Sequence, residues 1–158
     1  MAIRYALARL LTAACFFTFA SSSIAANVVL LHTDFVSSNK IKLLSSIAHD
    51  NDVDLVATKS PSADVLANAD LIIADAPRTP DRMRLQPVIN ELPNNLPWVL
   101  LGSNTQNAAT GLSTDFVNKL SDYWQNGTQE NYQHLFQWCM HGIQGTALLI
   151  SLRQKRCR

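Results

Sequence analysis

Along the chain, short apolar runs alternate with stretches whose apolar residues recur every three or four positions. Asn27-Val28-Val29-Leu30-Leu31-His32-Thr33 is a continuous apolar run, the pattern of a strand covered on both faces. From Ser38 to His49 the apolar positions Ile41, Leu44 and Ala48 fall on one helical stripe, which Asp50-Asn51-Asp52 ends. Val53 to Thr58 is a second strand. Ser60-Pro61 then reads as a helix cap followed by a first-turn proline, with Ala63, Leu66 and Ala67 as the inner face. Asp70 to Asp75 is a third strand.

Thr79-Pro80-Asp81 opens the next helix, with Leu85, Val88, Ile89 and Leu92 on its stripe. Pro87 interrupts it, which predicts either a kink or a start near Gln86, because a mid-helix proline costs about 3 kcal/mol. Pro97 to Gly102 is a fourth strand. Ser113 caps a helix that buries Phe116, Val117, Leu120 and Trp124; Asn126-Gly127 stops it. Thr128 starts another helix with Tyr132, Leu135 and Phe136, and after Trp138 the pattern is expected not to continue cleanly. The alternation predicts an α/β fold: three layers, with a mostly parallel four-stranded sheet flanked by helices and additional C-terminal helices. It is of the Rossmann-like or flavodoxin-like kind.

Charge divides the 158 residues into three unlike pieces. Residues 1–26 hold Arg4, Arg9 and no acid. Residues 27–152 hold seven Lys or Arg against twelve Asp or Glu. The end, 153–158, holds four basic residues. The first piece is a signal peptide by its positive start, the apolar run Leu10 to Ala20 and the small residues before Ala25 or Ala26, where cleavage is expected. Export to a bacterial periplasm follows as the expectation, with no membrane span once the signal is removed. The acidic middle excludes a basic nucleic-acid surface. The domain organisation is therefore a signal peptide over 1–26, an α/β domain over 27–138 and a divergent basic tail over 139–158, of the kind a shifted reading frame produces.

Ligands of open α/β sheets sit beyond the carboxyl ends of the strands. The polar residues there are His32, Thr33 and Asp34 after the first strand, Asp75 and Arg78 after the third, and Ser103 and Asn104 after the fourth. These are the candidate ligand-binding residues, with Asp34 and Asp75 as a carboxylate pair. No GxGxxG, P-loop or GxSxG motif is present, so no cofactor and no catalytic residue is assigned. His49, His134 and His141 stand singly and read as surface or packing residues. Cys139 and Cys157 form neither a metal motif nor a disulfide framework. Trp98, Trp124 and Trp138 read as core, with an aromatic site for a flat ligand as the alternative.

Tyr123-Trp124, followed by Gly127, Glu130 and Asn131 and then Leu135 and Phe136, resembles an element in the N-terminal region of the cobaltochelatase CobN and magnesium-chelatase large-subunit family. The resemblance covers about residues 27–138. It implies part of a subunit that binds a tetrapyrrole for insertion of a divalent metal, cobalt or magnesium, in a cobalamin-type pathway. Its implied partners are the remainder of such a subunit and separate AAA+-type subunits that hydrolyse ATP. It assigns no catalytic residue to these positions. Two other readings stand beside it: a self-contained periplasmic α/β module that binds a small ligand, and a small hydrolase using Asp34, Asp75 or Ser103.

Overall fold

The computed structural model describes residues 25–102 and 108–156, with side chains as far as residue 143. The elements in chain order are β1 (Ala26–His32), α1 (Ser38–Asp50), β2 (Val53–Thr58), α2 (Ala63–Ala67), β3 (Leu71–Asp75), α3 (Thr79–Asn90), β4 (Trp98–Leu101), β5 (Ala108–Thr110), α4 (Thr114–Asn126) and α5 (Gln129–Arg156). The strands form one sheet in the order β2-β1-β3-β4-β5. The first four are parallel and β5 joins β4 antiparallel. The architecture is thus α/β, a mostly parallel sheet flanked by helices, with two helices at the C-terminal end.

Each sheet face has its own core. Val28, Leu30, Leu71, Ile73, Val99 and Leu101 face one side, under α1, α4 and α5. Val29, Leu31, Ile72, Ala74 and Leu100 face the other, where α3 and the partly buried Val65 and Leu66 of α2 cover them. Strand side chains alternate between faces, so a run that is apolar at every position needs helices on both. β3 is covered along its whole length, with all five residues buried, the four apolar ones Leu71 to Ala74 and then Asp75.

Several local details depart from the sequence pattern. The sheet has a fifth strand, β5, whose three residues Ala-Ala-Thr are too short to show a period. Gly111, at φ +75°, follows it and lies against Pro97, where a Cβ would stand 3.3 Å from the proline Cα. The cap of α2 is Ser62, whose hydroxyl accepts from the Val65 N–H, so Ser60-Pro61 precedes the helix. Ala63 and Ala67 are exposed, and Val65 joins the expected Leu66 on the inner face. α3 starts at Thr79 and continues through Pro87, so the later start near Gln86 is not the one adopted. The carbonyl that loses its partner there belongs to Met83, a residue that is 72% exposed, so water can take the bond.

The helical pattern also continues past Trp138. α5 runs to Arg156, and Cys139 is fully buried with Met140 and Ile143 packed beside it, so the boundary drawn at 138 falls inside this helix. The connection between α4 and α5 needs Gly127, whose φ of +57° is the left-handed conformation that ends a helix. The Thr128 hydroxyl accepts from the Asn131 N–H and starts α5. Among the described residues no helix is long and apolar enough to cross a membrane. Residues 1–24 lie outside the described residues, and Ala26, placed in the leader above, is the first residue of β1.

Candidate functional site

The sheet order creates a crevice at one place. β1 passes through α1 to β2 on one side, while β3 pairs with β1 on the other, so the loops leaving β1 and β3 diverge at their carboxyl ends. Ligands of open α/β sheets enter at such a switch point. His32 and Asp75, the last residues of their strands, are register partners there. Thr33 and Asp34 follow on one lip and Arg78 stands on the other, so five of the candidate residues come together. Ser103 and Asn104 lie outside the described residues.

Asp75 is nearly inaccessible, at 2% exposure, and both of its oxygens are engaged. The Lys40 ammonium bonds Oδ2 at 2.8 Å and the Trp124 indole N–H donates to Oδ1 at 3.1 Å. Lys40 Nζ also lies 4.5 Å from the centroid of the Trp124 ring. A buried carboxylate requires this kind of compensation, because burial without a partner costs several kcal/mol. Helices α1 and α4 therefore meet the sheet through one charge.

A second polar cluster anchors the other lip. Asp81, in the first turn of α3, is fully buried, and Arg78 grips it in two places: Nε to Oδ2 at 2.9 Å and Nη2 to Oδ1 at 3.1 Å. The Thr33 hydroxyl donates to Oδ1 at 2.9 Å, tying the end of β1 to α3. The Arg78 guanidinium, helped by Thr33, holds the Asp81 carboxyl below the usual carboxylate range against the opposing effect of burial. The guanidinium carbon of Arg78 also lies 3.2 Å from the centroid of Phe35, with Arg84 at 5.7 Å. Phe35 itself is 54% exposed, a large apolar ring presented at the rim.

Asp34 is exposed and bonded to Lys59, which lowers its pKa, with smaller contributions in the same direction from Arg84 and His32. Asp34 and Asp75 thus have separate cations and separate environments, one solvated and one buried. The expected carboxylate pair is two individual ion pairs, and neither is a free base or nucleophile. His32 is buried apart from 8% of its surface, and its Nδ1 lies 3.0 Å from the Thr33 carbonyl oxygen. A carbonyl only accepts, so Nδ1 carries the proton and Nε2 holds the lone pair of the neutral ring.

Sequence reasoning missed Lys40, Lys59, Asp81, Arg84 and Phe35, and it read Trp124 as core before a ligand-facing residue, without its bond to Asp75. For Asp81 a signal existed: an acid three residues after Arg78 in a helix's first turn, with Pro80 beside it. For Lys40 and Trp124 none did, since their contacts with Asp75 span 35 and 49 residues.

A cavity of about 800 Å³ lies at the opposite, amino edge of the sheet, lined mainly by apolar residues including Leu66, Leu96, Pro97, Leu112 and Phe116. His141 stands at this cavity. Among the described residues no three His, Cys, Asp or Glu side chains converge to hold a metal ion. In comparison with known proteins, no family model, no curated protein and no solved structure matches this chain.

Proposed function

We propose that this chain is a ligand-binding α/β module, without catalysis of its own, whose crevice between β1 and β3 takes a flat, acidic small molecule. The observation that carries this reading is the exposed Phe35 ring flanked by Arg78 and Arg84 beside the switch point. Arg78 covers part of the ring, and the exposed remainder gives a planar π-system a surface to lie on, with Arg84 the cation within reach of acidic substituents. The state of the acids favours binding over hydrolysis, since Asp75 and Asp81 are already saturated by internal partners.

A tetrapyrrole bearing carboxylates fits this description, and it is the ligand that the resemblance to the chelatase large subunits implies. On that reading the chain is an N-terminal piece of such a subunit. The divalent metal would be cargo, and the rest of the subunit and the ATP-hydrolysing subunits its partners. The element that carries the resemblance supports the site indirectly: Trp124 bonds Asp75, and Gly127 turns the chain into α5. Export follows from the leader as part of the same proposal and places binding in the periplasm. The test is absorbance titration of the purified chain with uroporphyrin, which is flat and polyanionic, against a tetracationic porphyrin of similar size. Saturable binding of the first alone supports the reading; binding of neither, or of the cationic ring equally, overturns it.

A further inference from the structure

We propose that His32 and Arg84 together receive the acidic group of the ligand, a carboxylate or a phosphate, and that His32 does so as an imidazolium, so that binding takes up a proton. The inference rests on the ligand-binding reading above and adds to it the contact atoms and their pH dependence. His32 is more than nine-tenths buried, yet Nε2 has no hydrogen-bond partner among the described residues. The one fully enclosed side-chain polar atom among them without a partner is Nε1 of Trp138, so Nε2 of His32, on the last residue of β1, is not sealed off. The bond from Nδ1 to the Thr33 carbonyl fixes the ring plane in either charge state. Neutral, Nε2 offers a lone pair and repels an anion; protonated, it donates a charge-assisted hydrogen bond.

The surrounding charges leave that imidazolium available. Asp75 on β3 is held by Lys40 of α1, Asp81 of α3 by Arg78, and Asp34 on the same loop by Lys59. Each carboxylate at the crevice therefore already has its cation. Arg84 has no ion-pair partner among the described residues; it lies against the Phe35 ring and close enough to Asp34 to act on it, as His32 does. The excess charge at the crevice is thus positive, and it belongs to these two side chains. An incoming oxyanion would meet Arg84 beside the Phe35 ring and His32 at the end of β1.

The test is titration calorimetry on the purified chain with isophthalate and, separately, inorganic phosphate, each at pH 5.5 and 7.5, with the tryptophan fluorescence of each variant confirming its fold. The two probes decide whether the acidic group is a carboxylate or a phosphate. At least one is expected to bind about fivefold or more tightly at the lower pH, with up to about one proton taken up from buffer at pH 7.5 and less at pH 5.5. His32→Gln keeps a donor near Nε2 and is expected to abolish the pH dependence and the proton uptake with isophthalate, and with phosphate to leave only what phosphate's own second ionisation contributes. Arg84→Met is expected to weaken binding about tenfold at both pH values. A pH profile unchanged by His32→Gln, or affinity unchanged by Arg84→Met, overturns the assignment. If uroporphyrin binds and neither oxyanion does, this inference falls alone; if nothing binds, the ligand-binding reading falls with it.

Discussion

The indole N–H of Trp124 donates to Oδ1 of Asp75 across 49 residues of sequence, at 3.1 Å, joining α4 to the end of the central strand β3. With Lys40 on the other oxygen, this contact decides how three elements meet at the crevice. Removing either partner leaves a buried carboxylate short of compensation. Trp124→Phe keeps an aromatic ring and loses the donor, at an expected cost of about 1–3 kcal/mol. Lys40→Met removes the counter-charge, costing about 3 kcal/mol. Urea unfolding at pH 7 reads both, and the Lys40→Met penalty should be the larger.

Asp81 makes the stability of the fold acid-sensitive. Its carboxyl titrates lower in the folded chain than the ordinary 3.8, so its contribution is present above that value and is lost as pH falls through the folded-state pKa. Asp81→Asn should cost about 2 kcal/mol at pH 7. The difference from the parent chain should shrink steadily below pH 4. A difference constant from pH 7 to pH 3 would show that the carboxylate charge is not what Arg78 and Thr33 stabilise.

Gly142 is required by packing. A Cβ there would stand 2.3 Å from Cε2 of Phe116, a ring that is mostly buried and stacked on Trp138. Gly142→Ala gains up to about 1 kcal/mol in helix propensity but overpacks this contact, which costs about 1–3 kcal/mol. Net destabilisation is expected. Adding Phe116→Leu should recover part of it, which thermal melts of the single and double variants will show.

Cys139 is buried among apolar side chains, and burial pushes its thiol pKa up to about 12. In a chain carrying Cys15→Ala and Cys157→Ala, iodoacetamide at pH 8 should leave the remaining thiol unmodified until denaturant is added. Rapid labelling without denaturant would place Cys139 outside the core.

The leader reading has a measurable end point. Of the two cleavage positions, the one after Ala25 keeps β1 whole, because Ala26 pairs with Val53 and its N–H donates to the Asp52 carbonyl. N-terminal sequencing of the exported chain is expected to begin at Ala26. Recovery of an unprocessed chain that still starts at Met1 would overturn the export proposal.

The sequence by itself determined the two-sided sheet. Apolar runs such as Leu71–Ala74 leave a strand no solvent face, and the stripe of Phe116, Val117, Leu120 and Trp124 states which side of α4 turns inward. The caps at Ser113 and Thr128 and the turn at Gly127 were legible for the same reason: their causes are local. Short elements were not. β5 has too few residues for a period, and α2 shows a face only once the sheet beneath it is known. The helix past Trp138 was obscured because Cys139, Met140 and Ile143 are an irregular apolar set whose burial depends on the partners α1 and α4 supply.

The site divides along the same line. Strand ends are readable, so His32, Thr33, Asp34, Asp75 and Arg78 could be named from sequence. Which acid meets which base could not. The pairings of Asp75 with Lys40 and Trp124, of Thr33 with Asp81, and of Asp34 with Lys59 join residues 25 to 49 positions apart. They exist only because the order β2-β1-β3 brings those ends together. Local pattern states which groups stand at an edge. Tertiary structure alone decides which of them neutralise one another, and among the described residues it leaves His32 and Arg84 without an ion-pair partner.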